Sequence, residues 1–330
     1  MAKTIYDIAQ AAGVSIATVS RVFNSSSSVK ESTRDKILEI ADEMGYHPQA
    51  YAQGLASKKK NSIMMLVPVM SNYFFTEILK GAQDMLSDKN IELNILNISQ
   101  DKDVYTQVEQ IIKRQWADGY LLASIHLQEE ELKKLKRFQV PISLLDDFSP
   151  TFDSVSFDNK KGAYKATEYL IQKGCCRIAF LSGQVSSFPI RDRINGYKNA
   201  LEDNKIPFDE SLIVSGDSMD RDGFTEKAGY EAMNKVLNMD PLPDACFSSS
   251  DIKAVGALLA MKEQGIDLPI VSYDNLSISE YIGLSTIHQP MYDMGYRATR
   301  YLLSRIKNRK QHVYDYVHEP KLIIRSSSEE

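Results

Sequence analysis

The sequence predicts a small all-α head of three short helices and a much larger α/β body of two doubly wound parallel-sheet lobes. Three features carry this. Helix start and stop residues recur at short intervals over the first sixty positions; from Ile63 onward apolar β-rich runs alternate with amphipathic stretches; and that alternation comes in two successive series. A chain of 330 residues is also too long for one ordinary core and suits two or three units.

The head comes first. Thr4 with Asp7 forms a capping-box start to a helix whose Ile5, Ile8, Ala9 and Ala12 point one way, and Gly13 ends it. Ser15 caps a second helix running to about Phe23. In GVSIATVSRVFN (Gly13–Asn24), Val19, Val22 and Phe23 recur at helical spacing on a buried side, whereas Ala17, Ser20, Arg21 and Asn24 share a small, polar, cationic face. Ser32 with Asp35 caps a third helix, with an inner stripe of Ile37, Leu38, Ile40, Ala41 and Met44 and a stop at Gly45. So few apolar residues make a minimal core with no room for an enzyme pocket. What such a unit presents is its second helix, because a B-DNA major groove admits one α-helix whose N-terminal side chains reach base edges. Ser15, Ile16 and Ala17 are placed to meet bases, and Arg21 to fork onto a guanine or grip a phosphate.

The charge distribution points the same way. The formal charge is −5, but residues 1–60 hold eight Lys/Arg against six Asp/Glu, an excess of +2 that leaves −7 on the remainder. A mildly basic head on an acidic body suits a polyanion at one end only. Between them, PQAYAQGLASKKKNS (Pro48–Ser62) has helical propensity to Ala56 but no stripe broad enough to bury, then a lysine run at Lys58, Lys59 and Lys60. A helix this short is marginal in water by itself.

In the body, IMMLVPV, IELNILNI, GYLLASI and VPISLL form the first strand series, separated by stretches such as FTEILKGAQDMLSDK and VYTQVEQIIKRQW. RIAFLSG, the tail of SLIVSG, DACFSS and PIVSYD form the second, separated by RDRINGYKNALEDN and DIKAVGALLAMKEQG. Continuous apolar strands linked by helices mean parallel sheets covered on both faces. Ligands of such folds sit beyond the carboxyl ends of the strands, so two facing lobes create a cleft. At those ends stand Asn72, Phe74 and Phe75; Phe188, Arg191 and Arg193; Ser250 and Asp251; and Asp274. Polar groups beside aromatic faces suit a hydroxyl-rich ligand.

TIYDIAQAAGVSIATVSRVFN, SVKESTRDKILEIADEMGYHP and AYAQGLASKK resemble the headpiece of LacI/GalR family bacterial transcriptional regulators, and the likeness continues to QPMYDMG at Gln289–Gly295. The resemblance implies a helix-turn-helix DNA-binding headpiece over residues 1–47, a hinge helix and linker over 48–62, and a periplasmic-binding-protein-like effector-binding and dimerisation core over 63–330. Its N-lobe would take about 63–158 plus 288–317, and its C-lobe about 159–287 plus 318–330. It further implies that the hinge helix orders on operator DNA and enters the minor groove as a symmetric pair, with Leu55 and Ala56 as the wedge. The expected DNA-contacting set is then Thr4, Ser15, Ile16, Ala17, Ser20, Arg21, Asn24, Tyr46, Ala52, Leu55, Ala56 and Lys58. Effector contacts in similar regulators fall on the positions of Phe74, Phe75, Arg193 (with Gly196 in R-x-x-G), Ser250 and Asp274, and Phe224 is the candidate for a further aromatic contact. Where the family has a few more residues after GIDLP, this chain runs straight from Pro269 into Ile270.

The resemblance implies a homodimer that reads a pseudo-palindromic operator. The function expected is repression of a carbohydrate-utilisation operon, controlled by a small sugar or sugar phosphate. In wording the chain lies nearest the catabolite control protein branch, in which a phosphorylated phosphocarrier protein is corepressor and docks on two basic residues about one turn apart. Arg300 keeps the first and Ser304 replaces the second, which favours a pathway-specific regulator over that global alternative. The C-terminal IRSSSEE carries no leucine heptad, so a dimer is expected rather than a tetramer.

No catalytic residue, metal or cofactor is expected. His47, His126, His288, His312 and His318 are scattered and accompany no nucleophile elbow, P-loop or metal spacing. Cys175, Cys176 and Cys246 match no zinc pattern and read as reduced thiols. The apolar run IMMLVPVM is too short to span a bilayer, and MAKTIYDIAQ lacks the apolar region of a secretory signal, so a cytoplasmic, nucleoid-associated protein without a membrane partner is expected.

Overall fold

The computed structural model describes residues 3–23, 29–46, 60–68, 73–99, 102–183, 188–218 and 223–329. Asn24, Ala52, Leu55, Ala56, Lys58 and Asn72 lie outside the described residues. The chain forms two compact units: the N-terminal residues to Ser62 with Trp116–Asp118, and the remainder.

In the head, α1 (Ile5–Ala12) starts where the Asp7 carboxylate accepts from the Thr4 N–H at 2.7 Å and from its hydroxyl at 2.9 Å, and stops at Gly13 with φ 70°. α2 (Ile16–Phe23) starts on Ser15, whose Oγ accepts from the Thr18 N–H. Ile8, Ala9, Ala12, Val19, Val22, Ile37 and Ala41 form the core, and Phe23 meets Tyr46 edge-on at 5.7 Å. Two details depart from the sequence expectation. α3 (Glu31–Glu43) begins ahead of Ser32, with no side-chain cap at Lys30, so Ser32 lies in the first turn rather than before it. Leu38 is 44% exposed. It stands about 100° round the helix from Ile37, and a stripe already centred on Ile37 and Ala41 cannot bury it as well.

In the body, β1 (Ser62–Val67), β2 (Glu92–Asn97), β3 (Gly119–Ala123), β4 (Ile142–Leu145), β5 (Asp153–Phe157) and β11 (Asp315–His318) form one sheet in the order β11-β5-β4-β3-β1-β2. The second sheet contains β6 (Ile178–Ser182), β7 (Ile213–Ser215), β8 (Ala245–Ser248), β9 (Ile270–Asp274), β10 (Ser285–His288) and β12 (Lys321–Ile323), ordered β12-β10-β9-β8-β6-β7. The helices between them are α4 (Tyr73–Leu86), α5 (Val104–Arg114), α6 (Glu129–Lys136), α7 (Asn159–Gln172), α8 (Phe188–Asp203), α9 (Glu226–Leu237), α10 (Asp251–Gln264), α11 (Ser277–Tyr281) and α12 (Met291–Lys307). β1, β3, β4, β6 and β8 are buried at every position, as strands covered on both faces must be.

The chain passes between the sheets three times, each time from the carboxyl end of a strand: Phe157 to Asn159, His288 to Met291, and His318 to Lys321. The cleft therefore lies where both sheets present their strand ends. The last crossing also explains why β12 pairs antiparallel with β10 in an otherwise parallel sheet. Entering from the cleft side, with only Glu319 and Pro320 to turn in, the chain cannot make the long crossover that parallel pairing needs. Gly295 of QPMYDMG sits where α12 crosses α4: a Cβ there would fall on the Ile78 carbonyl, and one at Gly81 on the Tyr292 carbonyl. The short connection before β9 is taken up by Gly265 at φ 65°, after which Ile270 pairs with Cys246 in β8.

Candidate functional site

On the head, the side chains of α2 divide as its spacing requires. Val19 and Val22 are buried, whereas Ser15, Ile16, Ala17 and Arg21 are exposed and Ser20 is half-buried. Ile16 is an exposed β-branched residue at the first position of a helix, a placement that core packing does not explain. Thr4 is exposed but tied to Asp7, and Tyr46 is half-buried against Phe23. Tyr6 on α1, 68% exposed, is a large side chain on the head that the sequence reading passed over.

The cleft is built around Arg193, which is buried. Its Nε donates to Asn159 Oδ1 at 3.0 Å, one terminal nitrogen donates to the Ser249 carbonyl, and the other reaches Gln289 Oε1 at 3.5 Å and Asp274 Oδ1 at 3.9 Å. The guanidinium lies 3.7 Å above the centre of the Tyr273 ring, a cation–π contact. The R-x-x-G spacing has a physical reason here. A Cβ on Gly196 would fall on the Lys160 carbonyl, so only glycine lets α8 press on the start of α7, where Asn159 holds the arginine.

Asp274 ends β9 with φ 114°, and Asn275 follows at φ 57°. A φ of 114° lies beyond the left-handed region that Asn and Asp tolerate, so it costs energy at Asp274 and persists only where the surroundings enforce it. Burial pushes the Asp274 carboxyl well above the usual carboxylate range, with the Arg193 charge opposing. Asp251 does the enforcing. It is fully buried, and its oxygens accept from the Leu276 N–H (2.7 Å), the Ser279 hydroxyl (2.6 Å) and the Thr286 hydroxyl (2.6 Å). Asp251, expected as an effector contact, has both oxygens bonded to protein donors, and through them it braces the turn that carries Asp274. Ser250 Oγ accepts from the Lys253 N–H at 3.3 Å as the cap of α10.

Phe188 opens α8, exposed, with Arg191 5.9 Å from its ring. Of the aromatic pair in α4, Phe75 is enclosed in the core and Phe74 is half-buried, edge-on to it at 5.1 Å. The adjacent positions diverge because neighbouring helical residues point about 100° apart, so one of the two must serve the core. Phe224 is half-buried against the same core.

Two groups from the other sheet complete the cleft and were not anticipated. His126, beyond β3, stacks on Phe188 at 4.7 Å and lies 3.6 Å from Asp147. Burial disfavours its imidazolium, but the neighbouring Asp147 and Asp146 carboxylates outweigh that and hold its pKa above the ordinary value. Asp146, at φ 59° beyond β4, accepts from Ser124 Oγ at 2.8 Å; Ser124 itself has φ 52°. Burial raises the Asp146 pKa, while His126, the Ser124 bond and Arg193 lower it. Left-handed backbone thus recurs at the ends of β3, β4 and β9. The signal was available in the sequence: both LLDD and ASIH follow strands, just as the residues singled out do.

Residues 4–49 match the family described as bacterial regulatory proteins of the lacI family, and residues 60–317 match periplasmic binding proteins and sugar binding domain of the LacI family. The chain belongs to the lacI family. Catabolite control protein A of Priestia megaterium is 36% identical over 319 residues, 93% of each chain. The repressor PurR of Vibrio atlanticus (strain LGP32) is 32% identical over 333 residues, 98% of each. Among solved structures, a complex of the transcriptional regulator CelR with cellobiose superposes with TM-score 0.71 at 27% identity, covering 98% of this chain and 99% of that one. The lac repressor dimer bound to operator and the anti-inducer ONPF has the same fold, with TM-score 0.81 at 24% identity and 99% coverage of both. This lacI-family protein is a DNA-binding transcriptional regulator, in a family of regulators rather than enzymes. Among the described residues no helix is long and apolar enough to cross a membrane.

Proposed function

We propose that this lacI-family regulator represses a carbohydrate-utilisation operon, binding a pseudo-palindromic operator as a homodimer in the bacterial cytoplasm, with a sugar or sugar phosphate in the cleft. The Arg193–Asp274 arrangement carries this reading. A fixed donor fork beside a carboxylate, on strained backbone at the strand ends of a sheet, is suited to adjacent hydroxyls and a poor fit for an apolar ligand. CelR bound to cellobiose supports the ligand class. An effector moves such a protein only as far as it binds one arrangement of the lobes better than another. Asp146 and His126 on one side and Arg193, Asp274 and Phe188 on the other give it contacts from both.

For the dimer, α11 and its neighbour present Ile278, Tyr281 and Ile282 outward, Tyr281 at 84% exposure, and Leu259 is likewise exposed. A second copy of this surface would cover them. As for the alternative with a phosphocarrier protein, Ser304 Oγ donates to Gln311 at 2.8 Å, leaving Arg300 without a second cation one turn on. That favours the pathway-specific reading.

The test is titration of a fluorescent operator duplex against a panel of sugars and sugar phosphates. Asp274→Ala is expected to keep operator affinity within about twofold while losing the effector's influence, since truncation removes one charge-assisted contact to the ligand. A response retained in the variant would overturn the assignment.

A further inference from the structure

Lys253 on α10 is 0% exposed. Lysine is almost never fully buried unless paired, because an uncompensated ammonium loses its hydration. Among the described residues its Nζ has one hydrogen-bond acceptor, the Ser182 carbonyl at 2.5 Å, and no carboxylate as counter-charge. An ammonium carries three donors. Burial lowers its pKa to about 8.

The amine sits at the cleft end of the second sheet. Ser182 terminates β6; the next strand, β8, continues into Ser249, whose N–H donates to the Leu181 carbonyl at 3.0 Å and whose own carbonyl holds Arg193. A Cβ on Gly223 would lie 3.6 Å from Nζ and 3.4 Å from Gly183 Cα, so the amine lies beside the Gly223 backbone ahead of α9, which in turn meets Gly183 after β6. Asp274 ends β9, with β8 standing between β9 and β6. Two strand spacings amount to about 10 Å, comparable to the length of a monosaccharide with a terminal charged group.

The two cations are differently committed. Arg193 commits three of its five donors to Asn159, Ser249 and Gln289 and has Asp274 nearby. Lys253, among the described residues, is committed to one carbonyl.

We propose that Lys253 is the anion-binding group of the cleft, so that the effector carries a phosphate or carboxylate at one end and hydroxyls at the other. The inference rests on the reading of the cleft as a carbohydrate site and narrows it to anionic carbohydrates. Lys253 reads the charged end, and Arg193 with Asp274 reads the hydroxyls.

The full chain is titrated calorimetrically with inorganic phosphate, then with hexose and pentose phosphates, the aldonic and uronic acids and the neutral parent sugars, and operator binding is followed with each. Inorganic phosphate is expected to bind, and at least one anionic sugar to bind about tenfold tighter than its neutral parent, as a charge-assisted hydrogen bond requires. Whether the phosphates or the acids show that gain identifies the charged group. Lys253→Met is expected to lose phosphate binding and the anionic advantage together, with operator affinity unchanged. Lys253→Gln, which keeps a donor for the Ser182 carbonyl without the charge, should behave alike, and circular dichroism checks that both fold.

No phosphate binding in the wild type would overturn the proposal. So would binding unchanged in both variants, which would mean that the anion is held elsewhere. A neutral sugar acting equally on wild type and variants would overturn the anionic assignment and keep the carbohydrate reading. Phosphate binding lost in the variants, with no sugar affecting operator binding, would do the reverse.

Discussion

Arg21 in the head and Arg193 in the cleft are the same side chain held in opposite ways. Arg21 is exposed on a two-turn helix and, among the described residues, meets no acceptor. Arg193 is buried, donates to three acceptors and stacks on Tyr273. On the proposed function, the difference follows from the partner each would meet. A nucleic-acid duplex brings its own acceptors and a large contact area, so the reading residues need only be presented. A small ligand supplies few contacts, and its site must be ordered in advance for those contacts to yield net affinity. Substitutions in the head should therefore change binding without stability, and those in the cleft should change both.

The largest expected effect is in the cleft. Asp251→Ala leaves the Leu276 N–H and two hydroxyls without their acceptor in a buried place, for a loss of about 4 kcal/mol by denaturant unfolding, together with the effector response. A variant as stable as the parent would show that Asp274 needs no brace. Gly196→Ala drives a Cβ into the Lys160 carbonyl, backbone that cannot swing aside, so overpacking should cost about 3 kcal/mol by denaturant unfolding and weaken effector binding through Arg193 while operator affinity holds.

Lys253→Met sharpens the contrast by going the other way. Lys253 titrates at about 8 in the folded chain against the usual 10.5, so burial penalises its charged form by about 3 kcal/mol. With the folded value below the unfolded one, the penalty is complete below pH 8 and fades as the pH rises to 10.5. The variant should be more stable by up to about 3 kcal/mol at pH 7, the two converging toward pH 10.5, as urea unfolding at several pH values would show. A gap that does not change with pH would mean that the charge is not the cause.

Arg21→Ala should weaken operator binding by about 2 kcal/mol per head in a salt-matched titration, with stability unchanged within about 0.5 kcal/mol. A stability loss of the same size as the binding loss would erase the distinction between the regions.

Much of this was legible because local chemistry and tertiary structure agree. Thr4 with Asp7, Gly13 and Ser15 punctuate the head as their side chains require, and Arg193 and Asp274, both singled out by the strand-end rule, lie 3.9 Å apart. Strands β5, β10, β11 and β12 were not anticipated. They are short, and DSVSF and STIH read as polar, yet Ser154, Ser285 and Thr286 are fully buried because Asp315, the Arg325 carbonyl and Asp251 accept their hydroxyls. Hydrophobic counting cannot see a polar residue whose partner lies dozens of positions away. Lys253 was missed for a related reason: in DIKAVGALL it reads as an ordinary surface lysine on an amphipathic helix.

The sequence by itself determined the class of the protein, the three-helix head, the two-series α/β body and the strand ends at which a ligand would be met, because caps, glycines and apolar periodicity act over a few residues. Only the tertiary structure decided which polar atoms of those strand-end residues are assigned to protein partners. That assignment depends on partners brought together from distant parts of the chain: Asp251 with Thr286, Arg193 with Asn159 and Gln289, Asp146 with Ser124, and Lys253 with a single carbonyl. A side chain's role at a site is set by how many of its hydrogen bonds the protein has already used, and that number exists only once the chain has folded.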